Sequence, residues 1–168
     1  MRRTWLGGLV ALVALVPVPA FAQGVPCRFE ARFQLTPGLS VIPGRGEFTS
    51  GGETGTISCQ GLLSTGPVTG SGTFGAQGRY GTGPLGDTCF TGGEGDGVQS
   101  FTIPTAGGPL HVTNPITFRY GPATGHVMGG TFQGGSFAGT FEISSFEGDC
   151  VVNPMTVVVL RGEGSLSA

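Results

Sequence analysis

Four cysteines are the residues of this sequence with the clearest possible chemistry. Cys27, Cys59, Cys89 and Cys150 are separated by 32, 30 and 61 positions, so no two of them form a Cys-x-x-Cys pair, and neither histidine lies beside a cysteine. Such close pairs are typical of zinc sites. An even number of cysteines in an exported chain instead indicates a disulfide framework. We predict two disulfides among three possible connectivities, and we prefer Cys59–Cys89 with Cys27–Cys150 because elements near in sequence tend to be neighbours.

A glycine-rich acidic segment is the strongest candidate for a metal site. Residues 92–97 read Gly-Gly-Glu-Gly-Asp-Gly, and Glu94 and Asp96, with Asp87 nearby, are oxygen ligands of the kind that calcium prefers. The segment resembles the glycine and aspartate repeats of calcium-binding β-helices, but it occurs once and has no second copy to complete a site. The sequence therefore favours a hairpin turn with solvated acids, and we expect no metal and no cofactor.

Two histidines, His111 and His126, are candidates for acid–base chemistry. They lie in neighbouring strand candidates, so a hairpin could bring them together, but no Gly-x-Ser-x-Gly nucleophile motif accompanies them. Glu142, Glu147 and Asp149 are a further possible pair of carboxylates for glycoside hydrolysis. The sequence favours a simpler interpretation, with Glu142 pointing outward from a strand and Glu147 and Asp149 solvated in a turn. We expect a protein that is not an enzyme, with no catalytic residue assigned.

The elements that must position these residues are short β-strands. Phe29, Ala31, Phe33 and Leu35 alternate with polar residues, which is the period of a strand with one face in a core. Similar segments recur roughly every 8 to 12 residues between glycine or proline turns, a spacing typical of barrels and sandwiches. With 34 Gly and 12 Pro among 168 residues, a helical bundle is excluded. We predict a single all-β domain, an antiparallel β-barrel of about 8 to 10 strands, with a β-sandwich as the alternative.

Glycine and proline inside the strand candidates indicate local geometry. Gly139 shares a face with Phe137 and Phe141, so it can leave room for an aromatic ring from a neighbouring strand. Pro115 lies within a long strand candidate and predicts an edge position, a bulge or a junction of two strands there.

The first 22 residues have the form of a secretory signal. Arg2 and Arg3 precede an apolar run over residues 6–16, and residues 20–22 read Ala-Phe-Ala, a small-residue cleavage site. We expect residues 1–22 to be cleaved and residues 23–168 to form the domain. The remaining six Arg and ten acidic residues give a net charge of −4, which disfavours a nucleic-acid partner. The expected location is extracellular or in the cell envelope, without a membrane span.

Short motifs across the chain add a resemblance to a group of proteins. The sequence resembles the short secreted, Gly- and Thr-rich four-cysteine β proteins common in high-GC actinobacteria. The resemblance implies export and a β architecture, and it carries no assigned activity. The segments on which it depends are Cys27-Arg28-Phe29, Ser58-Cys59-Gln60-Gly61, Ser71-Gly72-Thr73-Phe74 and Phe101-Thr102-Ile103-Pro104.

Three functions remain open from the sequence. The leading expectation is a non-catalytic exported protein with a binding or structural role. The second is a carrier that holds a small apolar ligand inside the barrel, which predicts an internal cavity of at least about 300 Å³. The third is a secreted inhibitor of an extracellular protein, docking through an exposed loop such as residues 82–86 or 92–97.

Overall fold

The computed structural model describes residues 24–51, 55–124 and 127–167. The expected signal at residues 1–22 and the site candidate His126 lie outside the described residues. Regular structure in the described part of the chain consists of β-strands. No helix long and apolar enough to span a membrane occurs there.

Eleven strands follow one another along the described residues. They are β1 (Val25–Leu39), β2 (Gly46–Thr49), β3 (Gly55–Cys59), β4 (Leu62–Leu63), β5 (Gly66–Pro67), β6 (Gly72–Tyr80), β7 (Gly93–Ile103), β8 (Leu110–Tyr120), β9 (Val127–Gly134), β10 (Phe137–Glu147) and β11 (Met155–Leu166).

The long strands close into an antiparallel barrel. From β6 to β11 each strand pairs with the next, and β11 pairs with β1, which closes the sheet. On its other side β1 pairs first with β3 and then with β2, and both of these pair with β6, so β2 and β3 together occupy one strand position. The barrel thus has eight strand positions, and β4 and β5 form a separate two-stranded ribbon. The predicted all-β barrel is confirmed.

Alternation of side chains sets the inside and the outside of the barrel. On β1, Phe29, Ala31 and Phe33 are buried, whereas the residues between them are exposed. One of these, Glu30, forms an ion pair with Arg161 of β11 at 3.0 Å, and this pair holds the pKa of the Glu30 carboxyl below its usual value. Because the pair is exposed, its contribution to stability is small. The stability of the barrel therefore comes mainly from its apolar interior.

The two ends of the barrel differ. The end where β1 begins, here called the packed end, is filled by side chains that are 0 or 1% exposed, namely Ile57, Ile103, Phe137 and Leu166. The opposite end, here called the cavity end, is where β1 ends. It carries the connections formed by residues 40–45, 81–92, 121–124 and 148–154.

Each end of the barrel has one disulfide. Cys27 on β1 faces Cys59 on β3 at the packed end, and the two are bonded. Cys89 and Cys150 join two connections at the cavity end. The prediction of two disulfides is confirmed, but the preferred pairing of Cys59 with Cys89 and Cys27 with Cys150 is wrong. The physical reason is that the barrel places Cys59 and Cys89 at opposite ends, so strand register decides the pairing.

Three phenylalanine rings lie against glycines on neighbouring strands. In each case the two residues are directly opposed in the register, and a Cβ on the glycine would lie within 2.5 Å of a ring atom. Glycine there gives the ring the volume that a side chain would occupy. The opposed pairs are Phe29 with Gly162, Phe118 with Gly95, and Phe141 with Gly130. Gly139, the position expected to leave room for a ring, is not one of these glycines, because the nearest atoms to a Cβ there are backbone atoms of Glu163 and Gly164.

Adjacent glycines on β9 provide a test of this packing. A Cβ at Gly130 would lie 2.5 Å from Cζ of Phe141 and 2.5 Å from the carbonyl oxygen of Arg119, whereas a Cβ at Gly129 would meet nothing within 4 Å. We expect Gly130→Ala to lower the free energy of unfolding by about 2 kcal/mol through overpacking. The control Gly129→Ala is expected to be neutral or to stabilise by about 0.5 kcal/mol. Urea unfolding followed by circular dichroism measures both, and equal effects would contradict the packing argument.

Pro115 lies where the pairing of β8 changes. Residues 117–120 of β8 pair with β9, and Pro115 falls just before this paired segment, while it still faces Val98 on β7. Proline has no N–H to donate, so it is tolerated where one side of the strand forms no hydrogen bonds to a neighbouring strand. Of the three alternatives that the sequence left open for Pro115, the edge position is the one observed.

Candidate ligand cavity

The barrel interior contains a cavity of about 80 Å³. It extends from the middle of the barrel toward the cavity end, and its walls are almost entirely aromatic and aliphatic. Residues that contribute to the walls include Phe29, Phe33, Phe48, Met128, Phe141 and Leu160.

Residual exposure of inward-facing side chains shows that this half of the barrel is incompletely filled. Leu35, Phe48, Ile143 and Leu160 face the interior but are only half-buried, in contrast to the fully buried side chains of the packed end. Part of the reason is the sequence of β7. Its inward positions at the cavity end are glycines at 93, 95 and 97, so one wall lacks side chains over that length.

Two tyrosines contribute rings to the cavity and direct their hydroxyl groups elsewhere. The Tyr120 hydroxyl donates to Oδ2 of Asp87 at 2.8 Å, and the Tyr80 hydroxyl donates to the carbonyl oxygen of Pro37. Burial, reinforced by the negative charge of Asp87, raises the pKa of both hydroxyls above the usual tyrosine value. Both rings therefore remain neutral at physiological pH, and their polar ends are already satisfied by the protein.

Asp87 holds the segment that covers the cavity end. Its carboxylate is 1% exposed, and besides Tyr120 it accepts hydrogen bonds from the backbone N–H groups of Gly81 at 2.8 Å and Glu94 at 3.1 Å. We call residues 81–92 the lid segment. It also forms backbone hydrogen bonds to Ser40 and Gly44 and accepts one from Ala123.

The structural role of Asp87 was missed by the sequence reasoning, which grouped it with the acids of residues 92–97 as a possible calcium ligand. In the folded chain its carboxylate accepts from three donors: the N–H of Gly81 at the start of the lid segment, the N–H of Glu94 on β7, and the hydroxyl of Tyr120 on β8. An aspartate between a glycine-rich turn and a cysteine is a weak local signal, because its partners lie 6 to 33 positions away.

Gln99 is the exception in the apolar wall. It lies on the inward face of β7, is 1% exposed, and lines the cavity. Its Nε2 has no hydrogen-bond partner among the described residues. An unpaired buried amide is unfavourable by about 1 to 3 kcal/mol, so this group is the polar feature of the cavity that requires an explanation.

Glu94 and Asp96 each pair with an arginine on a neighbouring strand. The expectation of a turn at residues 92–97 is wrong, because Gly93 already begins β7 and the segment pairs with β6 and β8. Glu94 forms an ion pair with Arg119 and Asp96 forms one with Arg79, each at 3.0 Å across neighbouring strands. Within the described residues, no three His, Cys, Asp or Glu side chains come together as metal ligands.

His111 lies away from the cavity. Its side chain is exposed on the outer face of β8, and its Nδ1 is 2.9 Å from Oγ1 of Thr102 on β7. The structure therefore places His111 on the surface, and it does not bring His111 together with the other site candidates, Glu94 and Asp96.

Exposed apolar side chains concentrate at the cavity end. Large hydrophobic residues in the connections there are 60 to 85% exposed, and they surround the end toward which the cavity extends. They are Ile42, Leu85, Phe90, Val151 and Val152.

No protein-family model, curated protein or solved structure matches the chain.

Proposed function

We propose that this protein is an exported, non-catalytic binding protein that holds a small apolar molecule inside its barrel. The observation that carries the proposal is the cavity in one half of the barrel, whose walls are aromatic and aliphatic. Apolar concave sites with few polar groups are the usual form of a small-molecule site. The exposed apolar side chains around the cavity end support it, because they offer an apolar approach to the same half of the barrel.

Export is supported by the cysteines and by the first 22 residues. Two disulfides in one chain indicate an oxidising compartment. The charged, apolar and small-residue regions of residues 1–22 have the order of a secretory signal. We therefore place the binding protein in the extracellular space or the cell envelope.

The cavity volume limits the size of the ligand. The predicted volume of at least about 300 Å³ for a carrier is wrong, because the cavity measures about 80 Å³. It is about half of an engineered cavity of about 150 Å³ that holds benzene. By proportion to the six non-hydrogen atoms of benzene, this volume corresponds to roughly three such atoms, and we take roughly five as the upper limit for the ligand. A ceiling of about 1.5 kcal/mol per atom then gives a dissociation constant no tighter than about 3 μM for five atoms and about 0.5 mM for three, so binding in the submillimolar to millimolar range is expected.

Methionine methyl groups provide the test of this proposal. Met128 lines the cavity, whereas Met155 is equally buried but is not part of the wall. We expect titration with 2-methylbut-1-ene, a five-carbon alkene, to shift the Met128 methyl resonance saturably and to leave Met155 nearly unchanged. Leu160→Phe places a larger side chain in the wall and should weaken the binding. If Met128 responds neither to this alkene nor to the ketone of the same shape, butan-2-one, up to their solubility limits, the proposed function is wrong.

The non-catalytic part of the proposal has its own test. A broad screen with hydrolase substrates is expected to detect no specific turnover. Turnover that is lost in His111→Ala or His126→Ala would identify an enzyme instead. A structural or inhibitory role would remain if the alkene failed to bind, and capture of one stoichiometric extracellular protein would favour the inhibitor.

A further inference from the structure

We infer that the amide of Gln99 is a ligand-binding group, and that the natural ligand carries one hydrogen-bond acceptor, such as a carbonyl or ether oxygen, on a small apolar body. The inference rests on the proposed function and specifies the chemical class of its ligand. Its basis is the unpaired Nε2 of a side chain that is 1% exposed and lines the cavity.

The position of Gln99 on β7 shows why the amide is aimed into the cavity. It shares the inward face with Phe101 and Ile103, and its direct neighbours in the register are Ala76 on β6 and Asn114 on β8. Ala76 has no polar group, and the Nδ2 of Asn114 donates to Oγ of Ser136. The strand register therefore places the Gln99 amide between Ala76 and Asn114, neither of which accepts a hydrogen bond from its Nε2, and this donor can be satisfied by an occupant of the cavity.

Water is a poor occupant of this site. A buried water molecule typically makes about three hydrogen bonds to the protein, and it needs at least two polar partners. The hydroxyl groups of Tyr80 and Tyr120 are bonded to Pro37 and Asp87, outside the cavity. A water molecule beside Gln99 would thus lack most of its partners, whereas a molecule with one acceptor and an apolar remainder would satisfy both the amide and the walls.

Binding of the ligand to the Gln99 amide is noncovalent and involves no proton transfer. The amide N–H groups donate, so the ligand must accept. Carboxylic acids are disfavoured because the described cavity wall offers no cation to a carboxylate. Small ketones, aldehydes and ethers therefore fit the site, and small ketones are the simplest probes.

The test compares two ligands of the same shape in two forms of the protein. Butan-2-one and 2-methylbut-1-ene differ by replacement of a carbonyl oxygen with a methylene group. Gln99→Met keeps the length of the side chain and removes the amide. We expect the substitution to weaken ketone binding by roughly tenfold, the effect of one hydrogen bond, and to leave alkene binding unchanged or tighter. The shift of the Met128 methyl resonance measures all four dissociation constants.

The outcomes separate the inference from the function on which it rests. If both probes bind and Gln99→Met changes their affinities by the same factor, the amide is not a binding group, although the cavity is a binding site. If neither probe binds the wild-type protein, the proposed function fails and the inference fails with it. If Gln99→Met does not fold, Gln99→Leu is used for the same comparison of ketone and alkene binding. A thermal unfolding midpoint at or above that of the wild type confirms that the variant used is folded.

Discussion

Replacing Cys89 and Cys150 together with serine is expected to lower the free energy of unfolding by about 4 kcal/mol. The bond closes a segment with a sequence separation of 61, and the loss of chain entropy that such a closure imposes on the unfolded state has about this magnitude. The effect is large for a glycine-rich chain, because ordered glycine loses more backbone entropy than other residues. Denaturant unfolding of the variant against the wild type measures the difference.

The second disulfide is the matched control. Cys27 and Cys59 close a shorter segment, with a sequence separation of 32, and its loss is expected to lower the free energy of unfolding by slightly less than 4 kcal/mol. The two variants should differ in how fast a ligand enters and leaves the cavity, because Cys89 is the one cysteine of the four that belongs to the lid segment. We expect faster exchange of the alkene probe in the Cys89 and Cys150 variant alone. An unchanged unfolding midpoint in excess reductant would contradict both expectations.

Asp87→Asn is expected to lower the free energy of unfolding by about 3 kcal/mol. One carboxylate oxygen accepts from Glu94 N–H, and the other accepts from Gly81 N–H and the Tyr120 hydroxyl. An asparagine amide must present its NH₂ group to one of these donors, so at least one buried hydrogen bond is replaced by two opposed donors. For a domain of this size the thermal midpoint should fall by about 10 °C.

Asp96→Asn is the control for this substitution. Its carboxylate is exposed and pairs with Arg79 on the barrel surface, so its removal is expected to change the free energy of unfolding by less than about 1 kcal/mol. If Asp96→Asn lowered the free energy of unfolding as much as Asp87→Asn, negative charge near β7, and not the buried hydrogen bonds, would be what stabilises this region.

The barrel itself was predictable because the local pattern and the final fold agree. The alternation of Phe29, Ala31 and Phe33 with charged residues defines an inner and an outer face without reference to any other strand. The disulfide pairing was not predictable in the same way. Cys27 meets Cys59 because the register of β1 with β3 places them opposite each other, and register depends on the whole sheet.

Glycine was the main source of error in the strand boundaries. Residues 92–97 have the composition of a turn, yet most of them belong to β7, because Gly95 accommodates the ring of Phe118 across the strand pair. Turn propensity is a property of the isolated segment, whereas Phe118, the residue that packs against Gly95, lies 23 positions further along the chain. Tertiary packing therefore overrode the local preference of the segment.

The buried amide of Gln99 was only partly predictable from the sequence. The alternation of Gln99 with Phe101 and Ile103 places it on the inward face, which is a detectable signal for a buried polar residue. Whether the amide finds a partner depends on Ala76 and Asn114, which the register supplies from other strands. That part of the candidate site required the three-dimensional structure.

The pairing of β1 with β11 has a consequence for the order of folding. The ion pair between Glu30 and Arg161 joins residues 131 positions apart, whereas most other pairings join strands that are consecutive in sequence. Closing so long a loop is slow, so the seam between β1 and β11 should form late, after the hairpins. Until then both strands have open edges that can pair with other chains. The exposed charges of β1, namely Arg28, Glu30 and Arg32, oppose such pairing and protect the incomplete barrel from aggregation.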